Sequence, residues 1–267
     1  MPTPQKYQYP SRCVPVAVTS TTMLKVALIT GGNSGIGKAC ACLFAQRGYA
    51  VAIAARRMEL LDKVKQEIID EGGEVVAIAT DVSVKTEVDQ LVAAVLDQWG
   101  QIDVLVHSAG IAHSGSVLET DEKLWDETID INLKGTFLVN QAVLKGMVKQ
   151  GRGAIVNVAS DAGVTGARNL AAYCASKGGV VLLTKAMALD HSKQGVTINA
   201  LCPGPVETPL TEALSPQEMD LWKSMLPIPR FASAIEVAEA AYFLAHAPYA
   251  TGSCLVLDGG NTAGGAI

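Results

Sequence analysis

At 267 residues the chain suits one large domain with a well-buried core, and a second full domain would be crowded. Its net charge of −5, with lysines and arginines spread singly, provides no basic stripe that could track a nucleic-acid backbone. No apolar run reaches the roughly 20 residues needed to span a bilayer, so the expected partner is a small molecule.

Residues 1–22 carry Pro2, Pro4, Pro10 and Pro15 and read as a loose extension, a targeting segment being the alternative. Their apolar patch, Val14 to Val18, is too short and wrongly flanked for a secretory signal. Met23 then opens the folded unit, residues 23–267. The 6 cysteines show neither a C-x-x-C pair nor histidines at zinc spacing. They read as reduced thiols of a cytoplasmic protein, with no metal site.

From Met23 onward, short β-branched runs predict strands at Leu24–Thr30, Ala50–Ala54, Val75–Ala79, Ile102–Val106, Ala154–Ala159, Val196–Leu201 and Cys254–Leu257. Between them lie helical periodicities such as Leu60, Leu61, Val64, Ile68 and Val88, Leu91, Val92, Val95, and later Val180, Leu183, Met187, Leu189. This alternation predicts an α/β fold: a doubly wound, seven-stranded parallel sheet flanked by helices, built from right-handed crossovers. Ligands on such sheets bind beyond the carboxyl ends of the strands, so the residues just after each strand are where chemistry belongs.

The first strand runs into Gly31-Gly32-Asn33-Ser34-Gly35-Ile36-Gly37, and a helix follows over Ala39–Arg47. This order aims free N–H groups and a positive helix end at a pyrophosphate. Gly32 to Lys38 superficially fits a P-loop, but the next residue, which must bring a hydroxyl to magnesium, is Ala39. A purely structural turn would carry a heavy glycine cost without a ligand. The spacing Thr30-Gly31-x-x-x-Gly35-x-Gly37 resembles the short-chain dehydrogenase/reductase family, whose Rossmann-like fold holds NAD or NADP on this turn through residues 31 and 33–37.

The second strand is followed by Ala55, with no carboxylate for the ribose hydroxyls of NAD, and then by Arg56 and Arg57. Guanidinium forks suit an adenosine 2′-phosphate, which favours NADP over NAD; stacking on adenine, or a solvated pair opening the next helix, are the other readings. Asp81 and Val82 match the family's adenine-holding pair, and Asp81 is also a candidate helix N-cap. At the fourth strand end His107-Ser108-Ala109-Gly110 replaces the family's Asn-Asn-Ala-Gly. His107, Ala109 and Gly110 are implied cofactor contacts, with a structural histidine the competing reading for His107.

Tyr173 and Lys177 stand four residues apart, on one face of a helix. Ser160 follows the fifth strand at the same sheet edge. Reducing a carbonyl requires a proton at oxygen as hydride reaches carbon, and Tyr173 can supply it. Nearby positive charge, from Lys177 and from the oxidised nicotinamide, is expected to lower the phenol pKa.

The resemblance further implies that Lys177 grips the nicotinamide ribose and Ser160 bonds the substrate oxygen. It implies that Asn132 holds a relay water, an ordinary helix kink being the alternative. It also places Pro203, Gly204, Val206 and Thr208 beside the nicotinamide, and Tyr173 among the cofactor contacts.

Glu207 to Arg230, with Leu210, Leu214, Met219, Leu221, Trp222, Met225 and Leu226, corresponds to the family's mobile lid. Asp161, Val164, Gly166 and Arg168 are placed to shape a pocket whose substrate the side chains do not name. Apolar residues on several faces of Leu124–Val148 and Ala171–His191 fit the homotetramers common in the family.

Overall fold

The structure, a computed structural model, describes residues 24–209, 211 and 215–264; the extension over residues 1–22 and the lid residues Leu210 and Leu214 lie outside them. Seven parallel strands form one sheet: β1 (Lys25–Thr30), β2 (Tyr49–Ala55), β3 (Val75–Ala79), β4 (Val104–His107), β5 (Gly153–Val158), β6 (Val196–Pro203) and β7 (Cys254–Leu257). Their order is β3-β2-β1-β4-β5-β6-β7. The order reverses direction at β1 and β4, and Thr30 pairs with His107 there, so the two halves of the sheet part at their carboxyl ends and leave a crevice.

Eight α-helices flank the sheet in the described residues: α1 (Gly35–Gln46), α2 (Met58–Asp70), α3 (Lys85–Trp99), α4 (Glu122–Ile129), α5 (Gly135–Gln150), α6 (Ala171–His191), α7 (Pro216–Met225) and α8 (Ala234–His246). Phe44 of α1, Leu61 of α2 and Val237 of α8 pack on Ile29, Ile53 and Val106 on one face of the sheet. Val88 and Leu91 of α3, Val139 of α5 and Met187 of α6 pack on Leu28, Leu105 and Ile155 on the other. Strands covered on both faces are apolar almost throughout, which is why they stand out in the sequence as short continuous runs.

The expected strands are all present; the third and seventh have their expected bounds, and the other five shift at one or both ends. The fourth strand begins at Val104 rather than Ile102, because the Ile102 N–H turns to the Gln150 side chain instead of a strand partner. The first helix starts at Gly35 rather than Ala39, so its opening turn is part of the glycine-rich loop. The predicted helix over Leu124–Val148 is two helices joined by a π turn, Asp130–Lys134. Leu189, assigned to the apolar stripe of α6, points outward and is 85% exposed.

Candidate active site

The turn after β1 closes through two glycine backbones. A Cβ on Gly37 would lie 2.2 Å from the Gly31 carbonyl oxygen, so the first turn of α1 sits directly on the loop. Gly31 itself has φ +67, and a Cβ there would lie 2.9 Å from the Ala109 nitrogen after β4. Gly37 thus supplies the close loop-to-helix packing that a third fingerprint glycine provides elsewhere.

Beside this turn is an open cleft of about 470 Å³. Of the predicted cofactor residues, Gly31, Asn33, Ser34, Gly35, Ile36, Arg56, Arg57, Asp81, Val82, Ala109, Gly110 and Thr208 line it. Gly37 is buried beneath it. His107, Tyr173, Lys177, Pro203, Gly204 and Val206 are not among its lining residues. Ala55, Thr80, Ser108, Ile111, Ile131 and Pro209 complete the lining; they flank the motif residues and carry no chemical signature of their own.

Arg56 and Arg57 are exposed, and among the described residues neither forms an ion pair. Asp81 does not cap α3, which begins at Lys85; its carboxylate accepts from the Ser83 N–H at 2.9 Å and hydroxyl at 2.6 Å in a local turn. His107 turns away from the cleft into the sheet, where its ring meets the Thr30 hydroxyl. Burial, then the charge of Lys177, pushes its pKa down to about 3.

The catalytic candidates converge from three segments. Ser160 caps a short 3₁₀ turn (Asp161–Gly163) after β5, its hydroxyl oxygen accepting from the Ala162 N–H at 3.1 Å. Lys177, 5% exposed, donates to the Val158 carbonyl at 2.9 Å, which ties α6 to the end of β5. Gly163 makes that approach possible, since a Cβ on it would lie 2.6 Å from the Lys177 carbonyl carbon.

Asn132, fully buried, lies in the π turn and bonds both backbone groups of Ile111 at 2.8 Å, while its amide also donates to the Ser176 hydroxyl at 3.0 Å. Ser176 in turn donates to the Tyr173 carbonyl at 2.8 Å. A Cβ on Gly110 would lie 3.2 Å from Asn132 Oδ1 and 3.3 Å from Lys177 Nζ, so both side chains press on the loop after β4. The helix interruption at Asn132 is therefore a π turn, Asp130–Lys134, rather than a simple kink. Ser176 was missed in the sequence, where it is an unremarked position inside the Tyr-x-x-x-Lys spacing.

One expectation is corrected. Rather than being lowered, the Tyr173 pKa is pushed up to about 12: burial dominates, and the Ser160 hydrogen bond, which favours phenolate, only partly offsets it. Lys177 is itself held down to about 8 by burial. Its ammonium, 5.8 Å from the centre of the phenol ring, does not reverse the effect. The phenol therefore carries its proton at neutral pH.

Among the described residues of α7 none is buried, and Leu221, Trp222 and Met225 are exposed; Leu226 alone packs inward. Val164 and Arg168 are exposed, whereas Asp161 is buried against Ser160.

A sheet crevice lined by a glycine turn, with serine, tyrosine and lysine at its edge, defines a dinucleotide-dependent oxidoreductase. The chain belongs to the short-chain dehydrogenase family, whose sequence pattern matches residues 25–219. It is 40% identical over 238 residues to a 3-oxoacyl-[acyl-carrier-protein] reductase, FabG, of Thermotoga maritima, covering 88% of this chain and 97% of that one. A 3-oxoacyl-[acyl-carrier-protein] reductase of Bos taurus is 38% identical over 238 residues, covering 89% and 98%. Among solved structures, an actinorhodin polyketide ketoreductase variant with NADPH superimposes with a TM-score of 0.86 at 38% identity, covering 89% of this chain and 97% of that one. The protein is an NAD(P)-dependent oxidoreductase that moves a hydride between the nicotinamide and a carbonyl or secondary alcohol.

Proposed function

We propose that the protein is an NADPH-dependent reductase of 3-oxoacyl thioesters, with Tyr173 as the proton donor. The observation that carries this reading is the convergence of Ser160, Tyr173, Lys177 and Asn132 at the edge of a cleft whose wall holds two unpaired guanidinium groups. The relatives' names supply the substrate class.

The nicotinamide, when bound, supplies the hydride. The glycine turn offers N–H groups to the pyrophosphate, and Arg56 and Arg57 offer charge-assisted hydrogen bonds to a 2′-phosphate, with no acid at Ala55 to hold a free 2′-hydroxyl. Asp81 and Val82 serve the adenine, and the backbones at His107, Ala109 and Gly110 border the cofactor. Pro203, Gly204, Val206 and Thr208 border the nicotinamide. Ser160 hydrogen-bonds the substrate oxygen as negative charge develops there, and Tyr173 protonates it. Lys177 holds the ribose, and Asn132 fixes the relay beside it.

The same reading takes residues 23–267 as one catalytic domain of a cytoplasmic homotetramer. Among the described residues no helix is long and apolar enough to cross a membrane. Exposed Trp125 on α4, Phe137 on α5 and Leu182 and Leu189 on α6 offer apolar surface for subunit contact.

The test is turnover of acetoacetyl-coenzyme A with NADPH and with NADH, followed by nicotinamide absorbance. Reduction preferring NADPH is expected. Preference for NADH would overturn the role of the arginines, and turnover confined to simple ketones or sugars would overturn the thioester assignment.

A further inference from the structure

β7 runs into a turn, Asp258 to Thr262, that is held by its own hydrogen bonds. The Asp258 carboxylate accepts from the Gly260 N–H at 2.9 Å and from the Thr262 N–H and hydroxyl at 2.7 and 2.6 Å. The turn touches three segments around the cleft.

Gly204 donates its N–H to the Leu257 carbonyl at 3.0 Å, and a Cβ on it would lie 2.8 Å from the Asp258 Cα. Ile228, which follows α7 in the lid segment, donates its N–H to the Gly259 carbonyl at 3.0 Å, and a Cβ on Gly260 would lie 3.1 Å from the Pro227 ring. Asn261 donates its side-chain amide to Asp161 Oδ2 at 2.8 Å, a contact between residues 100 positions apart.

Asp161 directly follows Ser160. It is 9% exposed, and among the described residues no lysine, arginine or histidine forms an ion pair with it. Burying a charge without a cation is costly unless hydrogen bonds hold it. Oδ1 accepts the Ala162 N–H at 2.7 Å from within the Ser160 turn. Oδ2 accepts from Asn261, which among the described residues is the one donor to this carboxylate from outside that turn.

The Ser160 hydroxyl also rests 3.0 Å from Oδ1. When the hydroxyl turns to a substrate oxygen, Oδ1 keeps Ala162 and Oδ2 keeps Asn261, so each carboxylate oxygen still has a donor. Without Asn261, Oδ2 would lose its partner, and the buried carboxylate would compete with the substrate for Ser160.

We propose that Asn261 is a positioning residue for carbonyl reduction: from the turn after β7 it satisfies Asp161 and fixes the Ser160 turn, leaving the Ser160 hydroxyl available to the substrate oxygen. This rests on Ser160 hydrogen-bonding that oxygen.

The test is steady-state reduction of acetoacetyl-coenzyme A with NADPH by the full-length protein, with ethyl acetoacetate in its place if the wild type does not turn over the thioester. Asn261→Ala is expected to lower kcat about tenfold, the loss of one hydrogen bond to a charged group, with the KM for NADPH unchanged. In a Ser160→Ala background the same change is expected to have less than about a twofold effect, because residues that act through one another are not additive. The exchanged pair, Asp161→Asn with Asn261→Asp, keeps a donor facing an acceptor and is expected to recover most of the kcat lost in Asn261→Ala. If Asn261→Ala does not fold, Asn261→Asp, which sets two carboxylates against each other at unchanged shape, carries the same comparisons.

An unchanged kcat in Asn261→Ala, an undiminished loss in the Ser160→Ala background, or an exchanged pair no better than the single variant would overturn the proposal. Turnover by Ser160→Ala close to that of the wild type would instead overturn the serine assignment on which it rests.

Discussion

Thr30 donates its hydroxyl proton to Nδ1 of His107 across 2.9 Å, joining the carboxyl ends of two paired strands at the point where the sheet order reverses. The direction follows from the remaining partners, because the Thr30 oxygen already accepts from the Ser108 and Ala109 N–H groups at 3.2 and 3.3 Å. Nδ1 is then an acceptor, the ring proton lies on Nε2, and the imidazole is neutral.

This neutral histidine makes stability depend on pH. Its folded pKa of about 3 lies below the ordinary histidine value of 6.5, so the unfolded chain binds the extra proton as pH falls. The stabilisation is complete above the unfolded pKa and is lost below it at about 1.4 kcal/mol per pH unit until the folded pKa is reached. Denaturant titrations from pH 7 to pH 4 are expected to show this slope, and His107→Asn is expected to flatten it.

Gly37 has no room for a side chain. Gly37→Ala would drive a Cβ to 2.2 Å from the Gly31 carbonyl oxygen, with backbone on both sides of the clash. The expected cost is about 3 kcal/mol of stability. Weakened dinucleotide binding should accompany it, read by calorimetry and ligand titration.

Asn132 satisfies both backbone groups of Ile111 inside a buried π turn. Asn132→Ala leaves them unpaired, at about 1–3 kcal/mol for each buried group. Turnover is expected to fall as well, because Ser176 and the adjoining Lys177 lose their support across the Gly110 loop. Chemical denaturation and initial rates separate the two effects.

Cofactor choice should follow the unpaired arginines. In the double variant Arg56→Ala, Arg57→Ala, loss of charge-assisted hydrogen bonds is expected to raise the KM for NADPH about 10- to 100-fold, while the KM for NADH changes little. Parallel rises for both cofactors would mean adenine stacking instead.

The sheet and much of the cleft were legible because their causes are local. Continuous apolar runs such as Val26–Ile29 mark a strand buried on both faces, and the spacing of Gly31, Gly35 and Gly37 marks a turn pressed on by other backbone. The π turn at Asn132 was not legible, since it depends on Ile111 and Ser176, which are distant in sequence. The inward turn of His107 depends likewise on Thr30, and the hydrogen bond that Asp161 accepts depends on Asn261, 100 residues away. The sign of the Tyr173 shift was misread for a related reason: a lysine four residues away is visible in the sequence, whereas the burial that outweighs it is a property of the folded site.

The central claim is that Tyr173 gives the proton, and the most direct measurement is the rate of carbonyl reduction by Tyr173→Phe beside its affinity for NADPH. A fall of about 10²- to 10⁴-fold in turnover, with NADPH binding nearly unchanged, is the predicted result. Turnover close to that of the wild type would contradict it and require another residue to supply the proton.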